Sequence, residues 1–167
     1  MLVVNDNWQR VPTAKVCYGA DRKWWDRNHD RVPGHMVRYS AEQCPSEYGV
    51  TQVEGEHRAG LCTDPWKVYY GENSGHQAIN IAYHLGATDV ALLGYDMQYT
   101  GGIAHWFGDH QGLNNPSENH LARWAIMMET MAKDCIREGM RVTNCSRDTA
   151  LTCFPRMEIS KWLTLHA

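Results

Sequence analysis

The sequence lacks three features that would assign it to particular classes of protein. Basic residues are not in excess, since 16 Lys and Arg stand against 19 Asp and Glu and the formal net charge is −3. Nonspecific nucleic-acid binding is therefore not favoured, although a local basic groove remains open. No apolar run is long enough to cross a membrane. The first residues, 1–6, form an apolar run without a basic flank, which is typical of a strand rather than a signal peptide.

Paired cysteines are missing as well, and phenylalanine is scarce. None of the six cysteines belongs to a C-x-x-C pair, and Cys17, Cys135 and Cys145 lie in apolar or periodic segments. We therefore expect reduced, partly buried thiols, as in a cytoplasmic protein. Two Phe stand against seven Trp and eight Tyr. Such large amphipathic rings suit partly solvent-exposed clefts and interfaces, and they also suit an ordinary core and its rim.

Apolar runs that end in Asn or Asp alternate with helical patterns along the chain. Strands are predicted near residues 2–4, 16–18, 90–94 and 140–143, and helices at 74–85 and 116–138. This alternation predicts an α/β fold, with a mostly parallel sheet flanked by helices in a single domain over residues 1–167. Residues 26–66 are rich in Gly, Pro, His and charge, with only weak strand candidates such as 36–39. They are predicted as short strands and loops that form an irregular insertion, a partner surface or a lid.

The two predicted helices have apolar faces that we expect to be buried. The first runs up to Gly86 and the second up to Gly139, a natural C-terminal cap. The face of the first helix consists of Ala78, Ile81, Ala82 and Leu85. That of the second is rich in Met and consists of Leu121, Trp124, Met128, Met131, Cys135 and Ile136.

Polar residues are expected to converge on the carboxyl edge of this sheet, where α/β folds bind ligands. Asn73, Ser74 and Gly75 precede a helix, whose free N–H groups and positive dipole end suit a phosphate or a carboxylate; the alternative is a plain N-cap. Asp96 ends a strand and could hold a ribose hydroxyl or a metal, orient a histidine, or cap the following turn. The same edge is predicted to carry Asn5, Asp6 and Asp21.

A histidine cluster follows this edge along the chain. His105, Asp109 and His110 could form a reactive group, since a histidine of near-neutral pKa can take a proton and a carboxylate can set its tautomer. Two alternatives are open: a hydrogen-bonded structural pair, or, together with Asp96, a site for a divalent metal such as Mg²⁺ or Mn²⁺. Arg147 could neutralise a phosphate or form a surface salt bridge.

Five segments carry a resemblance to known proteins: VVND, CYGADRKWWD, GENSGHQAINIAYHLGATDVALLGYDMQY, HWFGDH and VTNCSRDTALTCFP. They resemble a family of phage proteins labelled norphogenetic protein. More distantly, they resemble the bacterial sialyltransferases of the Campylobacter type and the archaeal pterin diphosphokinase-like proteins. The resemblance covers residues 1 to 25 and 68 to 155, and it implies a Rossmann-like fold and, for a phage protein, location in the host-cell cytoplasm.

The resemblance also implies roles for single residues. In the sialyltransferases the donor CMP-sialic acid lies across the strand ends. Their asparagine after the second strand is similar to Asn5, their helix-start serine to Ser74, and their last loop to Arg147-Asp148-Thr149. Their catalytic histidine falls on Asp109 or His110, of which we choose His110. Their tyrosine falls by count on Gln98, next to Tyr99. The chain begins at the family's second strand, so the first strand and its Gly-rich loop are expected to be missing.

These observations lead to three hypotheses about function. The first is a glycosyltransferase-like enzyme that binds a nucleotide or nucleotide sugar and uses His110 as base. The second is a non-catalytic nucleotide-binding or phage interaction protein. The third is a metal-assisted phosphotransferase or hydrolase. An exposed sheet edge and many aromatic residues also predict a homo-oligomer. The short apolar runs predict that no membrane is among its partners.

Overall fold

Eight short parallel strands, four α-helices and two short 3₁₀-helices make up the regular structure of residues 1–99 and 116–166, the part of the chain that the computed structural model describes. The predicted mixed α/β fold is thereby confirmed. The chain divides into two units, Met1–Gly86 and Ala87–Ala167. The expectation of a single domain stays a prediction. In the described part of the chain, no helix combines the length and the apolar character that a membrane span needs.

The first unit is built on parallel strands in simple sequence order. Its four-stranded sheet has the order β1 (Leu2–Val4), β2 (Val16–Tyr18), β3 (Val37–Ser40) and β4 (Val50–Gln52). A second parallel pair consists of β5 (Glu54–Glu56) and β6 (Lys67–Tyr69). Only Val53 separates β4 from β5, and its N–H donates to the Ser40 carbonyl at 2.8 Å. One bent segment therefore pairs first with β3 and then with β6, so that all these strands end at the same edge.

Apolar clusters cover both faces of this sheet. One contains Val3 and Cys17 together with both tryptophans of helix α1 (Arg22–Asn28). The other contains Tyr18 and packs against helix α2 (Ser74–His84) through Ala78 and Ile81. Because successive strand residues point to opposite faces, neighbours such as Cys17 and Tyr18 belong to different clusters. Burial on both faces explains why the first strands are continuously apolar.

The short strands predicted within residues 26–66 are present, and the candidate at 36–39 corresponds to β3. They are not an irregular insertion, however, because they belong to the sheets, and the role of a lid stays a prediction. This segment supplies β3 and β4 to the main sheet and β5 to the second pair. The sequence signals these strands only weakly because they have only three or four residues each, and because β5 reads Glu-Gly-Glu without an apolar side chain. Gly55 in β5 is packed against Tyr70, since a Cβ there would lie 2.2 Å from the ring.

Arg38 in β3 fixes the loops on either side of its strand. Its guanidinium donates to the carbonyl oxygens of His29, Val32 and Tyr48 at 2.9, 2.8 and 2.8 Å. The rings of His29 and Tyr48 also stack, with centroids 3.8 Å apart. One charged side chain thus holds the end of α1, the loop after it and the turn before β4 in place.

The second unit contains the strand pair β7 (Asp89–Leu92) and β8 (Arg141–Asn144), with helices α3 (Glu118–Arg137) and α4 (Ile159–Leu165). Helix α3 begins at a capping box formed by Ser117 and His120 and is followed by Gly139 at φ 76°. Most of its predicted stripe is buried, namely Leu121, Met128, Met131 and Cys135. Ile136, however, is 78% exposed, because it lies at the margin of the buried face.

Candidate functional site

A cavity of about 360 Å³ opens at the carboxyl edge of the strands of the first unit. Its wall comes from the residues after β2, β3, β5 and β6 and from the first turn of α2: Ala20, Asp21, Glu42, His57, Tyr70, Glu72, Asn73, Ser74 and Gln77. Its size lies in the range of small-molecule sites, which is roughly 300–1,000 Å³. Open parallel sheets bind their ligands at this edge. Of the predicted site residues, Asp21, Asn73 and Ser74 meet here.

The start of α2 forms one side of this cavity through a tight left-handed turn. Gly71 and Glu72 adopt φ values of 49° and 59°, and for Glu72 this conformation is strained. Asn73 then caps the helix, because its Oδ1 accepts from the His76 N–H at 2.8 Å. The predicted N-cap is therefore present, and Asn73 and Ser74 also line the cavity. Gly75, the third residue of the predicted anion site, is half-buried and lies outside the lining.

Carboxylates dominate the charge of the cavity. Asp21, Glu42 and Glu72 line it, and none of its described lining residues is Lys or Arg. The pKa of Tyr70 is raised, first by burial and then by the negative charges of Glu42 and Asp21. Burial, followed by Tyr70 and Asp21, raises the pKa of Tyr18 well above its ordinary value. Both phenols thus remain protonated beside a negatively charged edge.

Glu42 also caps helix α1, in place of Asp21. Asp21 occupies the N-cap position of α1, yet its side chain makes no capping hydrogen bond. Instead, Oε2 of Glu42 accepts from the Arg22 N–H at 2.8 Å. The loop after β3 therefore caps α1, and the carboxylate of Asp21 lies in the cavity wall.

Gln77 and Tyr70 form a fixed part of this wall. The Tyr18 hydroxyl donates to Oε1 of Gln77, whose Nε2 donates to the Tyr70 carbonyl at 2.8 Å. The His57 ring meets the Tyr70 ring edge-on, with centroids 4.8 Å apart. These contacts leave two aromatic side chains and an amide in defined positions before any ligand arrives.

The buried polar face of α2 positions the loop that carries His57. The ring of His76 bonds to the Gly60 N–H at 3.1 Å and to the Tyr69 carbonyl at 3.2 Å. The side-chain amide of Asn80 bonds to both backbone groups of Cys62, at 2.8 and 2.9 Å. The predicted face of this helix is correct for Ala78 and Ile81, whereas Leu85 is 51% exposed and polar side chains are buried in addition.

Asn5 and Asp6 follow β1 but do not line the cavity. Asn5 adopts a left-handed φ of 48°, and its Oδ1 is buried without a hydrogen-bond partner in the described part of the chain. Asp6 accepts from Nε1 of Trp24 at 3.3 Å and from Nε2 of Gln9 at 3.2 Å. Asp6 therefore braces α1 against the first strand, and ligand binding by either residue stays a prediction.

In the second unit, Thr149 ties together the loops that follow β7 and β8. Its hydroxyl donates to the Tyr95 carbonyl at 2.7 Å and accepts from the Leu151 N–H at 3.0 Å. Arg147 is exposed, and its carbonyl accepts from the guanidinium of Arg156 at 2.6 Å. Thr149 thus has a structural role in the loop, and its predicted contact with a ligand, like that of Arg147, stays a prediction.

The predicted reactive cluster of His105, Asp109 and His110 lies outside the described residues. Tyr99, which is next to the position at which the resemblance predicts a tyrosine role, donates its hydroxyl to the Pro116 carbonyl at 2.5 Å. No group of three or more His, Cys, Asp or Glu in residues 1–99 and 116–166 is placed to hold a metal ion. Binding of Mg²⁺ or Mn²⁺ stays a prediction.

Asp96 lies half-buried after β7, and burial followed by the charge of Asp148 raises the pKa of its carboxyl above 3.8. An acid with a raised pKa in the folded state binds more protons there than when unfolded, so stability falls as the pH rises from 3.8 through the folded pKa. We expect Asp96→Asn to remove this fall. The variant should be more stable than the native chain near neutral pH, with the difference shrinking below 3.8. Denaturant unfolding at both pH values measures this.

Asp148→Asn is the matched variant for this prediction. It removes the repulsive charge but leaves the carboxyl of Asp96 buried, so it should reproduce only part of the gain. A loss of stability of equal size at both pH values in Asp96→Asn would contradict the role that we assign to burial of the charge.

Comparison of the chain with protein-family models, with curated proteins and with solved structures finds no match.

Proposed function

We propose that the chain binds a nucleotide or a nucleotide sugar at the cavity of the first unit, as a transferase-like protein of Rossmann-like fold. One observation carries the proposal. Three residues predicted from two separate segments of the sequence, Asp21 from one and Asn73 and Ser74 from the other, line one cavity at the carboxyl edge of a parallel sheet. This is the edge at which α/β folds bind nucleotides.

The cavity offers the groups that such a ligand needs. Carboxylates such as Asp21 accept hydrogen bonds from the hydroxyls of a ribose or sugar. Ser74 stands at the start of an 11-residue helix, whose positive dipole end suits a phosphate. The fixed edge formed by Tyr70 and His57 supplies an apolar surface for a base or a sugar ring.

For a glycosyl transfer, the hypothesis from the sequence assigns the base to His110, which belongs to the second unit and lies outside the described residues, so this assignment is proposed separately from the cavity of the first unit. Its imidazole would take the proton of an acceptor hydroxyl as the bond to the acceptor forms and the phosphate leaves with the electrons of the old glycosidic bond. Asp109 would set the tautomer of this imidazole, and His105 is the second candidate for the same role. The acceptor is a hydroxyl of a sugar or of a modified base.

The carboxylates favour a metal-assisted phosphotransferase or hydrolase as the second candidate. Asp21, Glu42 and Glu72 line the same cavity. One or two carboxylates together with the phosphate oxygens of a ligand suffice to hold Mg²⁺, so this candidate does not require a preformed group of three ligands, which the described residues do not supply. A nucleotide bound this way should lose its affinity when a chelator is added and regain it with Mg²⁺ or Mn²⁺.

A thermal-shift screen of CMP- and UDP-type nucleotides and nucleotide sugars tests the proposal. A ligand present at about 100 times its dissociation constant should add roughly 2.7 kcal/mol to the free energy of unfolding. Asp21→Asn and Ser74→Ala should each weaken binding by about tenfold, the loss expected for one hydrogen bond. Asp30→Asn and Ser46→Ala are matched controls, since both residues are exposed and lie outside the cavity lining. If no nucleotide or nucleotide sugar shifts the transition, with or without Mg²⁺, the proposal fails.

A further inference from the structure

The charge of the cavity bears on which part of the ligand it recognises. Among the described lining residues, the charged side chains are the carboxylates of Asp21, Glu42 and Glu72, and none is Lys or Arg. These carboxylates follow β2, β3 and β6 and so reach the cavity from different sides. A phosphate would have to approach all of them without a basic side chain in the described wall to offset the repulsion.

Some of the backbone N–H groups at the start of α2 already have hydrogen-bond partners within the protein. The Asn73 side chain accepts from the His76 N–H at 2.8 Å, and the N–H of Asn73 itself donates to the Tyr70 carbonyl at 3.3 Å. Two of the N–H groups that could serve an anion at a helix N-terminus are therefore engaged. The attraction that this helix offers to a phosphate is correspondingly reduced.

The same wall suits hydroxyl groups. Carboxylate oxygens accept hydrogen bonds from hydroxyls, and such charge-assisted bonds are the stronger ones. The Glu42 carboxylate is already oriented by its bond to the Arg22 N–H. The Tyr70 phenol, kept protonated beside the carboxylates, provides an aromatic surface against which a sugar or base can pack.

We propose that the cavity recognises the uncharged, hydroxyl-bearing sugar of its ligand, and that a phosphate adds no net affinity in the absence of a divalent cation. This inference rests on the proposed function and narrows it. The sugar hydroxyls donate to the carboxylates of Asp21, Glu42 and Glu72. The phosphate meets the first turn of α2 near Ser74, where repulsion by the same carboxylates offsets its attraction to the helix.

Paired ligands test the inference. Calorimetry with cytidine and uridine and with their 5′-monophosphates, in the presence of a chelator, compares ligands that differ only in the phosphate. We expect each nucleoside to bind at least as tightly as its monophosphate. Saturation-transfer NMR on bound cytidine should give its strongest signals on the ribose protons.

Asp21→Asn separates the two effects of the carboxylate. The nucleoside should lose about tenfold in affinity with a hydrogen bond to a charged group. The monophosphate should lose less, because repulsion of its phosphate is relieved as well, so the ratio of the two affinities should move toward the phosphate. Asp30→Asn changes the net charge of the chain equally but lies outside the cavity lining, and it should leave the ratio unchanged.

The outcomes distinguish the inference from the proposed function. Tighter binding of the monophosphates in chelator, with a ratio that Asp21→Asn does not change, overturns the inference and leaves nucleotide binding intact. Binding of a simple primary amine in preference to both nucleosides also overturns it, since the carboxylates would then serve a cation. If neither the nucleosides nor any compound of the thermal-shift screen binds, the proposed function itself has failed.

Discussion

Gly71→Ala should lower the free energy of unfolding of the first unit by about 3 kcal/mol, from two causes that add. A left-handed φ, here 49°, costs a residue with a Cβ roughly 1–2 kcal/mol. A Cβ would also lie 2.1 Å from Cγ of His76, and such overpacking costs about 1–3 kcal/mol. The ring has little freedom to move away, because it bonds to the Gly60 N–H and the Tyr69 carbonyl. Urea unfolding followed by hydrogen exchange in peptides of residues 1–86 measures the loss.

Gly49→Ala is the matched control for this variant. Gly49 has a φ of 62°, but a Cβ there meets nothing within 4 Å, so only the conformational cost of about 1 kcal/mol is expected. A double-mutant cycle with His76→Ala isolates the steric cost. Without the His76 ring, Gly71→Ala should lose only its conformational cost, as Gly49→Ala does. Equal losses in Gly49→Ala and Gly71→Ala would contradict the packing of His76 against the turn.

The sequence predicts the strands that consist of a continuous apolar run. It does not predict a strand whose conformation depends only on pairing with its neighbours. β1, β2, β7 and β8 lie close to their predicted positions, as do α2 and α3. β5 reads Glu-Gly-Glu and is a strand because it pairs with β6 and follows β4 after a single residue. Neither the hydrophobic periodicity nor the β-propensity of these three residues indicates this pairing.

The candidate site divides in the same way. Asp21, Asn73 and Ser74 could be predicted because each follows a recognisable strand or precedes a recognisable helix. Glu42 and His57, by contrast, follow β3, for which the sequence gives only a weak strand signal, and β5, for which it gives none, so neither residue was predicted at the carboxyl edge. Residues of a site can therefore be predicted from the sequence only where the strands that precede them can be predicted.

Buried polar side chains on α2 are the other feature that periodicity does not capture. The apolar pattern placed Leu85 in the core, yet the helix also buries His76, Gln77 and Asn80, each hydrogen-bonded to a loop or a neighbouring strand. Because buried polar groups need partners, these bonds specify where the loop of residues 57–66 lies. The helix thereby couples the position of His57 in the cavity wall to the packing of the first unit.

Arg38→Met is the second change for which we expect a large loss, again about 3 kcal/mol in the first unit. The substitution keeps an apolar side chain of similar length but removes the guanidinium that donates to three carbonyl groups. A hydrogen bond to a charged group contributes about 1.5–3 kcal/mol to stability. Carbonyl groups that lose this partner but stay buried are destabilising, because they are bonded neither to the protein nor to water. Arg38→Lys should lie between the native chain and Arg38→Met, because one ammonium lacks the planar fork that reaches several carbonyls at once.

The matched control is Arg22→Met. The Arg22 side chain is 56% exposed and lies 3.7 Å from the carboxylate of Asp26, and exposed pairs of this kind contribute less than about 1 kcal/mol. Loss of the Arg38 contacts should also raise hydrogen exchange at the end of α1 and in the turn before β4, the backbone that these contacts hold. If Arg38→Met costs no more than Arg22→Met, or if exchange in these segments is unchanged, then Arg38 does not organise the segment over residues 26–52, and the hydrogen bonds of the strands suffice to hold it.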